Sequence, residues 1–291
     1  MTRVRPSTGR VLAAALVVAA SCTLGESVTE PRLSKRVQRD LFVMFSAVAT
    51  RVAPRSVARY VEPRDYLRRE FAGRVPGRDA DDAARYVLPA TVRERWADEP
   101  GVTHWVRRGC SGDGRETIVY DPEHWELTPP REQRRFVHSI GVAGRIAGRK
   151  ECFSFGIAPD GVFLFGLHPE RCSLELARGA YRRIPWNAVD LVDIQAQLLI
   201  GDDCVQDMGV DDYVEVIREV ATTARRANPH IAVVAQVSFR HTPPSRMKTA
   251  IAAVAGDIDG VFFSYPSRGF RARCEYCSVR NLHELLRFLR R

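Results

Sequence analysis

The sequence predicts an α/β fold: a parallel sheet closed into a TIM-type barrel, irregular or incomplete, behind a partly helical N-terminal leader. Two observations carry this. From about residue 84, short β-branched or apolar runs alternate with amphipathic helical stretches, the rhythm of repeated β-then-α units. The runs are also apolar on both faces, as strands of a helix-covered parallel sheet must be. An open doubly wound sheet satisfies both observations as well and stays as the alternative. Its dinucleotide-binding form is disfavoured, because no Gly-x-Gly-x-x-Gly turn follows the first run.

The elements follow in order. Tyr86 to Ala90 is the first run, and Val92 to Arg108 reads as a helix broken near Pro100-Gly101. Thr117 to Asp121 is the second run, and Arg131 to Ala147 reads as a helix with Thr128 as its N-cap and prolines just inside. Cys152 to Ala158 is the third run, with Val162 to Gly166 extending or pairing with it after the Asp160-Gly161 turn. Val189 to Gln197 is the fourth run. A helix from Asp211 to Ala227 follows, opened by two aspartates and stopped by Asn228-Pro229. Its apolar positions Val214, Ile217 and Ala221 keep helical spacing. Ile231 to Ser238 is the fifth run, Ser245 to Val254 a helix, and Ile258 to Tyr265 the sixth run. Val279 to Arg290 closes the chain as a helix with Leu282, Leu285, Leu286 and Leu289 on one face. A closed barrel needs eight strands, so the missing ones are expected from the leader or from residues 162–190.

Three parts are expected: a signal peptide over 1–25, an Arg/Pro-rich leader over 26–83 and the barrel over 84–291. Arg3, Arg5 and Arg10 form a basic start, and Val11 to Ala20 an apolar run too short to span a bilayer. Cleavage near Ala19-Ala20-Ser21 gives a secreted protein; the adjacent Cys22 also suits lipid anchoring at the cell surface. Either way the location is extracytoplasmic, with membrane contact only through the signal peptide or a lipid on Cys22. Within the leader no clear strand is read. Residues near 35–50 look helical, and the apolar stretch Leu41 to Val52 reads as a helix packed on the core.

The formal charge is +9, and +6 without the three leading arginines. The bases are nearly all arginine, scattered among acids without forming a stripe, so no nucleic-acid partner is expected. Cys22 set aside, six of the seven cysteines remain, an even number that fits disulfides in an oxidising compartment. Cys274-Glu-Tyr-Cys277 is read as a local disulfide rather than half of a zinc site, since no second such pair occurs. No metal and no cofactor is expected. A Gly-x-Ser-x-Gly elbow and a phosphate-binding loop are both absent.

Chemistry is expected at the carboxyl ends of the strands, where parallel α/β folds bind ligands. The second run ends in Asp121 and Glu123, two carboxyls i, i+2 apart that cannot ionise independently. One can serve as general acid, the other as base, nucleophile or positioner. Asp193, Gln195 and Gln197 alternate at the end of the fourth run, and Gln236 and Ser238 at the end of the fifth. Tyr265 ends the sixth, and Trp125 offers a stacking platform. Amides and a phenol suit sugar hydroxyls or other small polar ligands. The bland reading of Asp-Pro-Glu is a helix opening, with Asp121 as N-cap and Glu123 complementing the dipole. Gln195 and Gln197 are equally readable as buried amides tying strands together, Tyr265 and Trp125 as packing.

The stretches TIVYDPEHWELTP, VDLVDIQAQ and IDGVFFSYP, with the Cys-x-x-Cys tail, resemble a group of exported actinobacterial proteins of uncharacterised activity with a TIM-barrel, glycoside-hydrolase-like fold. The resemblance spans about residues 84–291 and implies the barrel and an extracytoplasmic setting. Chitinase-like glycosidases carry Asp-x-Glu at a strand end, with the Glu as acid and the Asp as its positioner. Asp121-x-Glu123 matches those two positions. The rest of that family's acidic run is absent, Thr117 and Val119 standing in its place. The expected function is therefore a glycan-directed hydrolase with Glu123 and Asp121 as catalytic pair and Gln195, Gln197, Gln236, Tyr265 and Trp125 holding substrate. The alternative is a non-catalytic barrel of the cell envelope that binds a glycan or small solute.

Overall fold

The computed structural model describes residues 31–46, 59–60, 66–69, 93–97, 116–121, 134–149, 153–159, 178–179, 181–200, 209–240, 242–264 and 274–290. All of these fall within one compact unit, Pro31–Arg291. Eight strands close into a barrel in chain order: β1 (Phe42–Ser46), β2 (Tyr66–Arg69), β3 (Arg93–Ala97), β4 (Glu116–Tyr120), β5 (Phe153–Ile157), β6 (Leu191–Ile194), β7 (Ala232–Ser238) and β8 (Gly260–Ser264). Every neighbouring pair is parallel, and β8 returns to β1 through Phe42 beside Gly260. The described helices are α1 (Lys35–Asp40), α2 (Phe136–Ala147), α3 (Val210–Ala227), α4 (Pro244–Val254) and α5 (Val279–Arg290). Among the described residues no helix is long and apolar enough to cross a membrane.

The barrel is therefore eight-stranded and closed, and the open sheet is set aside. Its first two strands come from the stretch expected to be a leader, so a boundary near residue 84 does not delimit the barrel. Residues near 35–50 are not one helix: α1 stops at Asp40 and Phe42–Ser46 is strand. The helical reading of Val92 to Arg108 also fails at its start, where Arg93–Ala97 is β3. The run Tyr86 to Ala90, the stretch Val162 to Gly166 and the cap Thr128 lie outside the described residues; α2 begins with Arg135 at its N-cap position. Each of the other runs contains a strand and each of the other expected helices a helix, although the fourth run is shortened to Leu191–Ile194.

Strand alternation splits the apolar residues into two sets. Val43, Tyr120, Phe155, Ile157, Val192, Ile194, Val233, Ala235, Val237, Val261 and Phe263 face outward into the layer shared with the helices. That layer receives Val214, Ile217, Val220 and Ala221 of α3 and all four leucines of the α5 stripe. Phe42, Met44, Leu191, Val234 and Phe262 form a separate cluster inside the barrel. Each set follows from the period of two along a strand, which register then carries around the sheet. Gly260 is required there: a Cβ at that position would clash with the Phe42 ring. Gly156 gives way similarly, its notional Cβ lying 2.9 Å from Val119 Cγ2.

The amino ends of the strands are fastened by two aspartates. Asp190 Oδ2 accepts from Phe155 N at 2.8 Å, and Asp259 Oδ2 from Val233 N at 2.8 Å. Arg225, in the last turn of α3, donates to the same Asp259 oxygen at 2.9 Å and to the Asp257 carbonyl at 2.9 Å. Backbone donors within β5 and β7 thus find charged acceptors, so these contacts serve stability. The opposite end carries a different set of polar residues.

Candidate functional site

The inward positions change character along the barrel. Near the amino ends they are Phe42, Leu191 and Ala232. At the carboxyl ends they become Asp121 just past β4, Asp193 and Gln195 at and just past β6, and Gln236 on β7. The register explains the gathering. Asp193 lies beside Val234, and one step further Gln195 comes level with Gln236. Tyr120 lies beside Ile157, and Ala158 N donates to Tyr120 O at 3.0 Å, which brings Ala158 level with Asp121.

One contact ties three strand ends together. Gln195 Nε2 donates to Asp121 Oδ1 at 2.8 Å and to the Ala158 carbonyl at 2.5 Å. Asp121 is 6% exposed and Gln195 3%, so the pair is nearly shielded from water. Asp121 thus directs Oδ1 across the barrel mouth to a side chain 74 residues away. Both contacts of the Gln195 nitrogen go to protein acceptors, Asp121 and the Ala158 carbonyl.

Gln197 is displaced from the shared strand face. β6 ends at Ile194, and Ala196 N turns back to Ile194 O at 2.9 Å. Gln197 then opens a 3-10 helix, Gln197–Ile200, so the alternation that aligned it with Asp193 and Gln195 no longer applies. Gln236 keeps its place. It is 3% exposed, and its Oε1 is buried with no hydrogen-bond partner among the described residues. A buried acceptor left so costs about 1–3 kcal/mol, which a donor on a ligand or a water recovers. Glu123, Trp125 and Tyr265 lie outside the described residues.

Two tyrosines from the helical layer, both missed by sequence reasoning, hold main-chain carbonyls at this end. Tyr181 Oη donates to Pro159 O at 2.8 Å, just past β5. Tyr213 Oη, on the first turn of α3, donates to Gln236 O at 3.1 Å. Burial pushes the Tyr213 phenol far above its ordinary range, and the nearby Asp193 charge raises it further. Asp193 itself is fully buried. The sequence signal for Tyr213 was its place in the apolar stripe of α3, which marks it as core and says nothing of its hydroxyl.

The Cys-x-x-Cys turn completes the end of β7. Cys274 and Cys277 are joined, with Cα atoms 5.4 Å apart. Glu275 N donates to Arg240 O at 3.1 Å and Tyr276 N to Phe239 O at 3.3 Å. Asn281 Nδ2 ties the same turn to α5 by donating to Tyr276 O at 2.9 Å. The strand that carries Gln236 is thus gripped by α3 on one side and by this turn just beyond. Among the described residues, no three His, Cys, Asp or Glu side chains group as metal ligands would.

No protein-family model matches the sequence, and no curated protein does. Solved structures match at the level of the backbone. The catalytic domain of a family GH18 chitinase from the fern Peteris ryukyuensis is 13% identical, with a TM-score of 0.47 over 86% of this chain and 98% of that one. The carboxyl transferase domain of Rhizobium etli pyruvate carboxylase is 12% identical, with a TM-score of 0.44 over 88% of this chain and 48% of that one. The chain thus spans about half of that structure. These likenesses concern the α/β barrel and say nothing of its chemistry.

Proposed function

We propose that this protein is an exported, glycan-directed hydrolase whose site is the carboxyl-end mouth of the barrel. The observation that carries the reading is the convergence of Asp121, Gln195 and Gln236 from β4, β6 and β7 on that mouth, with one acceptor, Gln236 Oε1, lacking a donor among the described residues. A ligand rich in hydroxyl or amide N–H groups supplies what that acceptor lacks. Asp121, held as an acceptor by Gln195, stabilises developing positive charge or orients Glu123. Glu123, two residues on in the sequence, protonates the leaving oxygen. Trp125, Gln197 and Tyr265 are proposed to hold substrate around this pair. Export, by secretion or through a lipid on Cys22, is supported by the basic and apolar pattern of residues 1–25.

The test is a panel of envelope polysaccharides and their oligosaccharides, assayed for new reducing ends with the unaltered chain, Glu123→Gln and Asp121→Asn. Turnover that drops by about a hundredfold or more in Glu123→Gln supports the reading. Equal turnover in all three proteins, or none on any glycan, sinks it. Binding seen by thermal shift without turnover points instead to a non-catalytic glycan-binding barrel.

A further inference from the structure

We infer that Gln195 is the positioning residue of this site: it fixes the Asp121 carboxylate as a hydrogen-bond acceptor and does not contact substrate. The inference rests on the proposed function for its catalytic consequence, but the contact itself is independent of it. An amide nitrogen only donates. Gln195 Nε2 has two hydrogens, and two acceptors take them, Asp121 Oδ1 and the Ala158 carbonyl. Oδ1 therefore acts as an acceptor and carries no proton, and because a donor bonds an ionised carboxylate more strongly than a neutral acid, the contact favours the carboxylate form. The Ala158 carbonyl belongs to the backbone past β5, whose next residue is gripped by Tyr181 at 2.8 Å. The amide is therefore anchored to main chain on one side and delivers its orientation to Asp121 on the other. Burial of both partners makes the geometry exacting, because a misplaced amide would leave a buried carboxylate oxygen without its donor.

The chemistry follows. A catalytic aspartate that must stay charged needs a neighbour that can never accept a proton from it, and a glutamine amide meets that need. A glutamate in its place would have to keep its own proton to make the same bond. Gln195→Glu is therefore the discriminating variant, with Gln195→Met as an isosteric control that lacks both donor and charge. Thermal unfolding of the full chain is measured from about pH 4 to pH 8. At the acid end the introduced carboxyl is protonated and its single O–H donates to Asp121, so only the bond to the Ala158 carbonyl is lost and the gap to the unaltered protein is at its smallest. As pH rises, folding must either keep that proton or set two carboxylates face to face. A proton kept one pH unit beyond the ordinary glutamate range is a tenfold preference, and the melting gap should widen by about 2–4 °C for each such unit. The Gln195→Met gap should also widen from the acid end, because the buried Asp121 carboxylate loses its donor, but it should level off sooner and stay smaller than the Gln195→Glu gap, since no second carboxylate is introduced.

A positioning role also predicts a kinetic split on whichever glycan the panel shows to be cleaved. Gln195→Met should lower kcat about tenfold or more while KM stays within about threefold, since no substrate contact is lost. A rise in KM at constant kcat would make Gln195 a substrate ligand and overturn the inference. So would a Gln195→Glu gap that does not change with pH, because the amide then does not face Asp121. If no glycan is cleaved, the hydrolase reading falls, and the pH dependence still decides whether Gln195 holds Asp121.

Discussion

Removing one hydroxyl at Tyr213 should make the stability of this barrel respond to alkali in an unusual direction. Tyr213→Phe deletes the donor to Gln236 O, a buried bond of 3.1 Å, and should cost about 1 kcal/mol near pH 8. The folded phenol is held neutral well beyond its ordinary range, by burial first and by the Asp193 charge second. In the unfolded chain the same phenol ionises near its usual pKa of about 10. Below that pH both states keep the proton and the bond contributes fully. Above it the unfolded state loses its proton while the folded state does not, so the unaltered protein is destabilised. At about pH 11 the loss from this one group is roughly 1.4 kcal/mol. The phenylalanine variant lacks the group and escapes the loss. The gap between the two proteins should thus shrink from about 1 kcal/mol to zero, or reverse, between about pH 8 and pH 11. Urea unfolding of both proteins across that range measures it, and every other ionising group cancels in the difference. A gap that stays constant or grows with pH would refute the argument, since Tyr213 would then titrate alike in both states.

Three further outcomes are expected. Gly260→Ala places a methyl group against the Phe42 ring inside the barrel and should cost about 1–3 kcal/mol; Phe42→Leu in the same chain should restore part of that, read by urea unfolding. Asp190→Ala leaves the Phe155 amide in the middle of β5 without its acceptor and should cost about 1–2 kcal/mol, with glycan binding at the opposite mouth unchanged in titration calorimetry. Cys274→Ser with Cys277→Ser should lower stability by about 2 kcal/mol, the loop-closure contribution of so short a ring, and should shrink the effect of reductant on the melting point. If reductant leaves the unaltered protein's melting point where it was, the pair contributes nothing to stability.

Much of the architecture was legible because burial on two faces leaves a plain mark. The runs that became β4 through β8 are short, β-branched or aromatic, and bounded by turn residues. The helices α3 and α5 carry apolar stripes at helical spacing. β1 escaped for the same reason that the others were found. In LFVMFSAV both faces are apolar, so a strand and a buried helix look alike, and the run is longer than the five residues that form the strand. β3 escaped because RERWA carries three charged residues in five and resembles a surface helix.

The candidate site divides in the same way. Alternation along single strands set Asp193 with Gln195 on one face and Gln236 with Ser238 on one face, and apolar-then-polar order along each run set them and Asp121 at the carboxyl end. Local chain chemistry fixes those facts. Which amide meets which carboxylate was decided only by the closed sheet. The bond from Gln195 to Asp121 spans 74 residues and depends on the stagger of β4, β5 and β6, which no segment encodes alone. The end of β6 at Ile194 likewise removed Gln197 from a face that periodicity had given it. Tyr213 reaches Gln236 because α3 packs across β7. A hydrophobic stripe specifies that a helix will be buried, but the partner of its one hydroxyl follows from where the barrel sets the neighbouring carbonyl.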